Sequence, residues 1–290
     1  MIQLKKATKK QVKLRLGLSS VSGGGKTYSA LLIAYGICKD WSKIAVIDTE
    51  NDSASLYSDI GEYNTISLKP PYAPEKYIEC INVCQDAGME VIIIDSISHE
   101  WDGTGGCLDI QSQMGGKYQD WAKVTPRHQA FIDSILQSSC HVITTVRRKQ
   151  DYEMTKDSNG RLKVEKAGLK EVTREGFEYE LTLNLELDTK HYASASKDRT
   201  GLFLDKPSFI PTIETGEIIK KWCDSGESII EKKLLYDLVI TSNLNDMQKK
   251  VANERIEKID SVSNFITMEN NLLKLQHTLK PSESIKIENL

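Results

Sequence analysis

The chain has 290 residues, 39% of them hydrophobic and 27% charged, with a formal net charge of −3. That length supports one large domain with an appendage or two modest ones, and the mixture is globular rather than disordered. The near-neutral balance excludes a chain that is basic throughout, so contact with an anionic polymer has to come from a local patch.

Residues 1–39 carry eight bases and no acid, and 1–13 read as a basic N-terminal segment, a solvated tail or an oligomerisation segment. Leu14–Leu18 predicts a strand that ends in a Gly/Ser-rich turn, and Thr27–Lys39 a helix with an apolar face. Lys43–Asp48 and Glu90–Asp95 are short apolar runs of the buried-strand kind, with a helix, Pro74–Ala87, between them. Asp102–Asp120 holds five glycines and predicts a long loop, which in a compact domain is functional or mobile. Pro126–Ser138 predicts a helix and His141–Val146 a β-branched strand. The segment 147–174 has nine bases against five acids, with a strong hairpin-turn signal at Asn159-Gly160. Glu178–Leu187 and Lys190–Ser196 read as paired strands, followed by a Gly201-Leu-Phe-Leu204 strand. From Gly226 the chain reads as helices, with Pro281 near a frayed end. Apolar strands alternating with helices predict an α/β domain over 14–223, with a mostly parallel sheet covered on both faces. A soft boundary at Trp222–Gly226 leaves 224–290 as a small helical appendage with eleven acids and nine bases.

None of the six cysteines forms a Cys-x-x-Cys pair, which fits a reducing cytosol better than a disulfide framework or a zinc ribbon. The apolar stretch Ala30–Cys38 is too short to span a bilayer, and the lysine-rich start does not fit a signal peptide, so no membrane partner is expected.

The sharpest motif is Ser20-Val-Ser22-Gly23-Gly24-Gly25-Lys26-Thr27, between a predicted strand and a predicted helix, the context a phosphate-binding P-loop requires. Successive glycines let the backbone wrap phosphate oxygens closely, and their N–H groups form an anion nest at a helix N-terminus. Ser22 through Tyr28 are the predicted nucleotide-binding stretch, with Lys26 reaching the β- and γ-phosphates and Thr27 ligating Mg²⁺. One departure is Ser20, where the usual pattern begins with glycine. Mg²⁺ needs a second anchor, and Asp95 at the end of Val91-Ile-Ile-Ile-Asp95 fits it. Hydrolysis needs a group that polarises water. Glu50, at the end of Ile44-Ala-Val-Ile-Asp-Thr-Glu50, is favoured on the expectation that its strand neighbours the P-loop strand. Glu100 is the rival and Asp48 a lesser candidate. The histidines show no metal-ligand spacing, so Mg²⁺ is the one expected metal. Trp101 and Trp121 flank the glycine loop and read as packing residues. Arg147, Arg148 and Lys149, running on to Tyr152, suit phosphate contact and base stacking on a single strand.

Together, Gly-Gly-Gly-Lys-Thr, Val46-Ile-Asp-Thr-Glu50, Ile92-Ile-Ile-Asp95-Ser96 and His141-Val-Ile-Thr-Thr145 resemble RecA-like P-loop ATPases. Three further stretches, Ile94–Trp101, Trp121–His128, and Arg174–Glu180 leading to Ala195–Phe203, resemble more narrowly the phage-type AAA family ATPases. The likeness covers roughly residues 12–223. It implies a RecA-type core and ATP as the nucleotide. It implies that Lys197 and Arg199, paired on a late strand, reach the γ-phosphate of a neighbouring subunit, which requires a homo-oligomer, ring or filament. It implies a polar γ-phosphate sensor at Thr145 and Arg147, beside Thr144. It further implies single-stranded DNA as polymer, a single-strand annealing or binding protein as possible partner, and a bacterial host cytoplasm. The expected activity is Mg-dependent ATP hydrolysis in phage-type recombination or replication. The alternatives are a nucleotide-switched assembly module with little turnover, and a ring helicase or loader motor.

Overall fold

The structure is a computed structural model that describes residues 8–156, 162–226, 232–259 and 262–277. By its contacts the chain divides into two compact units, Lys13–Cys223 and a second made of Met1–Val12 with Asp224–Leu290.

The larger unit holds eight strands: β1 (Arg15–Ser20), β2 (Ile44–Asp48), β3 (Asn64–Ser67), β4 (Val91–Asp95), β5 (His141–Lys156), β6 (Leu162–Glu171), β7 (Leu183–Leu187) and β8 (Ala193–Asp198). They form one sheet in the order β3-β2-β4-β5-β1-β7-β8, with β6 paired to the extension of β5. All pairs from β3 through β7 are parallel, and the β5–β6 and β7–β8 pairs are antiparallel. The fold is therefore mixed α/β with a mostly parallel sheet, as expected. Its helices are α1 (Lys26–Cys38), α2 (Pro74–Asp86), α3 (Ser98–Asp102), α4 (Cys107–Gln113), α5 (Trp121–Leu136), α6 (Phe177–Glu180) and α7 (Ile213–Asp224).

Alternation along each buried strand sends residues to opposite faces. Ile44, Val46, Val91, Ile93 and Ile143 pack with α1 and with Ile219 of α7. Ala45, Ile47, Ile92, Ile94 and Val142 pack with the apolar sides of α2 and α5. Both faces are apolar because both are covered, which is why these strands read as unbroken apolar runs rather than alternating ones.

Two polar groups are built into this core. The Arg15 guanidinium donates to the carbonyls of Leu136 at the end of α5, of Ser138 and of Cys140, and burial draws its pKa down to about 10. It satisfies the last carbonyl of the helix and two in the turn that follows, groups that would otherwise be orphaned. His141 is 2% exposed, and its Nδ1 accepts the Leu14 N–H at 3.0 Å. Burial, then the charges of Lys13, Lys220 and Arg15, hold its pKa well below the usual value. The unfolded chain takes up a proton near pH 6.5 that the folded chain refuses, so stability is lost as pH falls through about 6.5, by up to about 1.4 kcal/mol per pH unit. Urea unfolding compared at about pH 7.5 and about pH 5.5 should show this loss, and His141→Asn, which keeps an acceptor, should flatten it. An unchanged slope in the variant would assign the loss to other groups.

The structure departs from the sequence expectations in several places. The 102–120 segment is not a structureless loop, since it contains α4 and a 3₁₀ turn at Tyr118–Asp120. α5 begins at Trp121, five residues before the expected start at Pro126, which lies inside it; the preceding 3₁₀ turn leads directly into the helix. Glu178–Leu187 is not one strand, because Gly176, at φ 93°, turns the chain into the single turn α6 before β7 begins. Gly201–Leu204 is not a strand either. The Asp198 carboxylate accepts the N–H groups of Thr200, Gly201, Phe203 and Leu204, so those donors close a compact loop instead of a ladder. β3 was missed in sequence, being short and largely exposed. The Asn159-Gly160 turn and Pro281 lie outside the described residues.

The second unit contains α8 (Lys232–Thr241), α9 (Asp246–Glu257) and α10 (Val262–His277) around a core of Leu235, Val239, Ala252, Ile256, Phe265 and Leu272. Asn245 and Gln248 form a reciprocal capping box at the start of α9. The Gln11 side chain donates to the Asp224 carbonyl at 3.3 Å, a contact between the two stretches of chain, one before and one after the larger unit, that make up this one. No described helix is long and apolar enough to cross a membrane.

Candidate functional site

β1 ends, and α1 begins, around the glycine-rich loop. Gly23 and Gly25 adopt φ 79° and 80°, left-handed conformations that a side chain would strain. Gly24 is required for a different reason, since a Cβ there would fall on the Ser20 side chain. The Ser20 hydroxyl turns away to donate to the Leu187 carbonyl at 2.8 Å, which is how the loop accommodates serine at its first position. The open N–H groups of the first turn of α1 face the same space.

A cleft of about 630 Å³ opens there, lined by Ser22, Gly23, Gly25, Lys26, Thr27 and Tyr28 together with Glu50, Asp95 and Arg147. Lys26 is 8% exposed and its ammonium donates to the Val21 carbonyl at 3.1 Å. Burial lowers its pKa, with Asp95 and then Glu50 opposing. The Thr27 hydroxyl donates to Asp95 Oδ2 at 2.5 Å, and the Thr145 hydroxyl donates to Asp95 Oδ1 at 2.5 Å. Burial raises the Asp95 pKa against those two hydrogen bonds. Thr144 points elsewhere, donating to the Leu16 carbonyl at 3.3 Å.

Glu50 lines this cleft and Glu100 does not. The expectation that β2 neighbours the P-loop strand is wrong: β4 and β5 stand between β2 and β1. Glu50 reaches the cleft because it lies just past the end of its strand, where Arg147 Nε donates to its Oε1 at 2.8 Å. Burial acts to raise the Glu50 pKa, and the Arg147 hydrogen bond and charge outweigh it, holding the carboxyl below its usual range. Asp48 accepts the N–H groups of Glu50 at 2.6 Å and Ala54 at 2.7 Å, shaping the backbone that presents Glu50. Glu100 is 1% exposed and lies 3.0 Å from both Cys107 Sγ and His128 Nδ1. These three are the one group of His, Cys, Asp or Glu side chains close enough together to hold a metal among the described residues, with Glu100 contacting the other two. Sequence reasoning missed this triad, whose members are scattered over 28 positions.

The basic residues separate. Arg147 turns into the cleft, Arg148 pairs with Glu186 at 2.6 Å, and Lys149 pairs with Asp102 at 2.7 Å. Thr145, Arg147 and Lys149 alternate along β5 and so share a face, meeting Asp95, Glu50 and Asp102 in turn. Lys149 belongs to a second cleft of about 1050 Å³, whose walls include Trp101, Tyr118, Trp121, Lys170 and Arg174. Trp101 stacks on Trp121 at 5.5 Å and 19°, and Tyr118 is 91% exposed. The glycine-bearing segment and the basic segment picked out in sequence thus border one groove.

Lys197 is on β8, past an irregularity in the β7–β8 register at Ser196, and Arg199 lies just beyond the end of the strand. Both donate to the Tyr179 carbonyl, Arg199 at 3.0 Å, and neither lines the nucleotide-sized cleft.

A family model described as an AAA domain matches residues 13–211. No curated protein matches the chain.

Proposed function

Because the chain belongs to this AAA domain family, we propose that it binds and hydrolyses ATP with Mg²⁺ and couples this to single-stranded DNA, as in phage-type recombination or replication. One observation carries the proposal. The Thr27 hydroxyl and the Asp95 carboxylate, 68 positions apart, meet at 2.5 Å beside a glycine loop that carries Lys26.

The loop amides and Lys26 bind the phosphates. Thr27 and Asp95 would hold Mg²⁺, and the donor set fits: a hydroxyl and a carboxylate are hard oxygen ligands, and the buried carboxylate gains a counter-charge. When bound, the ion neutralises negative charge on the transferring phosphoryl group. Thr145 fixes the other Asp95 oxygen. Glu50, ionised through its contact with Arg147, accepts the proton of the attacking water. Lys197 and Arg199 act across a subunit interface, a role that requires a RecA-like ring or filament. The groove offers stacked and exposed aromatics beside Lys149, Lys170 and Arg174, a surface suited to unpaired bases and their phosphates. An annealing or single-strand-binding protein is a candidate partner, and a bacterial host cytoplasm is the compartment this role implies.

Steady-state ATP hydrolysis, with and without single-stranded DNA, tests the reading, with Lys26→Ala protein as the blank. We expect DNA to stimulate turnover and Trp121→Ala to blunt the stimulation. Turnover indifferent to DNA would remove the polymer assignment and leave the ATPase. Run over protein concentration, turnover per chain should rise in the parent and stay flat in Arg199→Ala; a parent that is also flat would exclude the trans assignment. The Glu50–Arg147 pair also favours a second reading, a switch that binds ATP with little turnover. It would be preferred if ATP binds tightly, drives assembly and is not hydrolysed with DNA present.

A further inference from the structure

The nucleotide cleft has two chemically different ends. At one end the glycine loop stands with Lys26, Thr27, Glu50, Asp95 and Arg147, and His191 lies against Gly25; the rest of the lining comes from α1 and from the segments 53–57 and 210–212. Tyr28 and Leu32 stand four residues apart on α1 and share a face leading away from the loop. Tyr28 also meets the Tyr57 ring at 5.7 Å and 56°. Three large apolar side chains of this lining are left open to solvent: Tyr28 at 43%, Leu56 at 79% and Ile210 at 51%. A single exposed apolar residue means little, but three around one cleft whose other end is built for phosphate mark a ligand surface.

Resting on the proposed phosphate site, we infer that this apolar end seats a purine base by its faces and reads neither of its edges, so the protein takes ATP and GTP alike. To select guanine, a site needs an acceptor for its N1–H and N2–H₂ groups, and a carboxylate is the strongest. The lining contains two carboxylates, Glu50 and Asp95. Both are engaged at the phosphate end, Glu50 by Arg147 and Asp95 by Thr27 and Thr145. The other polar side chains toward the apolar end, Tyr28, Ser53, Tyr57 and Thr212, carry hydroxyls, whereas His191 stands against Gly25 in the loop. A hydroxyl both donates and accepts, so these groups pair with either purine. What distinguishes bases here is stacking area, which separates purines from pyrimidines and not adenine from guanine.

The test is displacement of a fluorescent N-methylanthraniloyl-ATP from the full chain, with Mg²⁺, by ATP, GTP, CTP, UTP and inorganic tripolyphosphate. ATP and GTP should compete within about threefold of each other, with CTP and UTP about tenfold weaker, in line with the energy of stacking one base. The double variant Leu56→Ser with Ile210→Ser should lose about tenfold in affinity for both purine nucleotides and none for tripolyphosphate. A preference for ATP over GTP above about thirtyfold would overturn the inference by showing an edge reader. So would a double variant that binds ATP as the parent does. Failure of the phosphate site would look different: tripolyphosphate would not compete, or would compete equally well in Lys26→Ala.

Discussion

Glu50→Gln protein should keep its nucleotide and lose its turnover. The loss should be about 10²- to 10⁴-fold, the usual contribution of a positioned general base. Glutamine is the informative replacement because its side-chain oxygen can still accept the Arg147 Nε–H that Glu50 Oε1 accepts at 2.8 Å, so the local framework is retained while the basic carboxylate is removed. Affinity should stay within a few-fold of the parent or tighten, because a negative charge leaves the phosphate end. Lys26→Ala should behave in the opposite way, losing binding and turnover together, since Lys26 is the buried cation of the loop. Equilibrium binding and single-turnover hydrolysis on the two variants separate these outcomes. If Glu50→Gln turned over at the parental rate, Glu50 would be a partner for Arg147 and nothing more.

The second large effect is on folding. A Cβ built on Gly36 in α1 would lie 2.7 Å from the Gly216 Cα in α7 and would collide with the Ile213 carbonyl; one built on Gly216 would lie 2.7 Å from the Gly36 Cα. The two helices therefore cross with their backbones nearly touching, and the obstructing atoms are main chain that no rotamer change can move. Gly36→Ala gains about 1 kcal/mol of helix propensity. Overpacking costs roughly 1–3 kcal/mol and sometimes more, and a fixed backbone puts this site at the upper end. We expect a net loss of about 2 kcal/mol for alanine and more for valine, which lowers Tm by roughly 4–8 °C in a domain of this size. Because α1 also carries Lys26 and Thr27 at its start, the residual nucleotide affinity should fall with it. A Gly36→Ala protein melting at or above the parent would show that the helices can separate at no cost.

These two cases show what the sequence made legible. The buried strands Ile44–Asp48 and Val91–Asp95 were readable because each residue type in them is selected by burial on both faces. The P-loop was readable because Gly23, Gly25, Lys26 and Thr27 act through local backbone geometry. Asp95 was found from its place at a strand end, a local property as well. What escaped depends on distant parts of the chain. Nothing local marks Gly36 and Gly216 as partners, or joins Glu100 to Cys107 and His128. The order of the strands was likewise hidden, so Glu50 was chosen for a neighbour relation that does not exist and reaches the cleft by another route. The Asp198 turn misled the strand assignment because its hydrogen bonds run from one side chain to several amides, which apolar patterning does not report.

The β5 row has a consequence for how this protein tolerates change. Thr145, Arg147 and Lys149 address three acids on three separate segments, Asp95, Glu50 and Asp102, and they do so only because a strand repeats every two residues. Losing or gaining one residue upstream of Thr145 within the strand would turn all three to the opposite face at once. An even-numbered change would restore the facing, though with different side chains in the row. The strand thus carries a parity constraint, and drift in length has to be absorbed outward of Lys149, in the hairpin formed with β6.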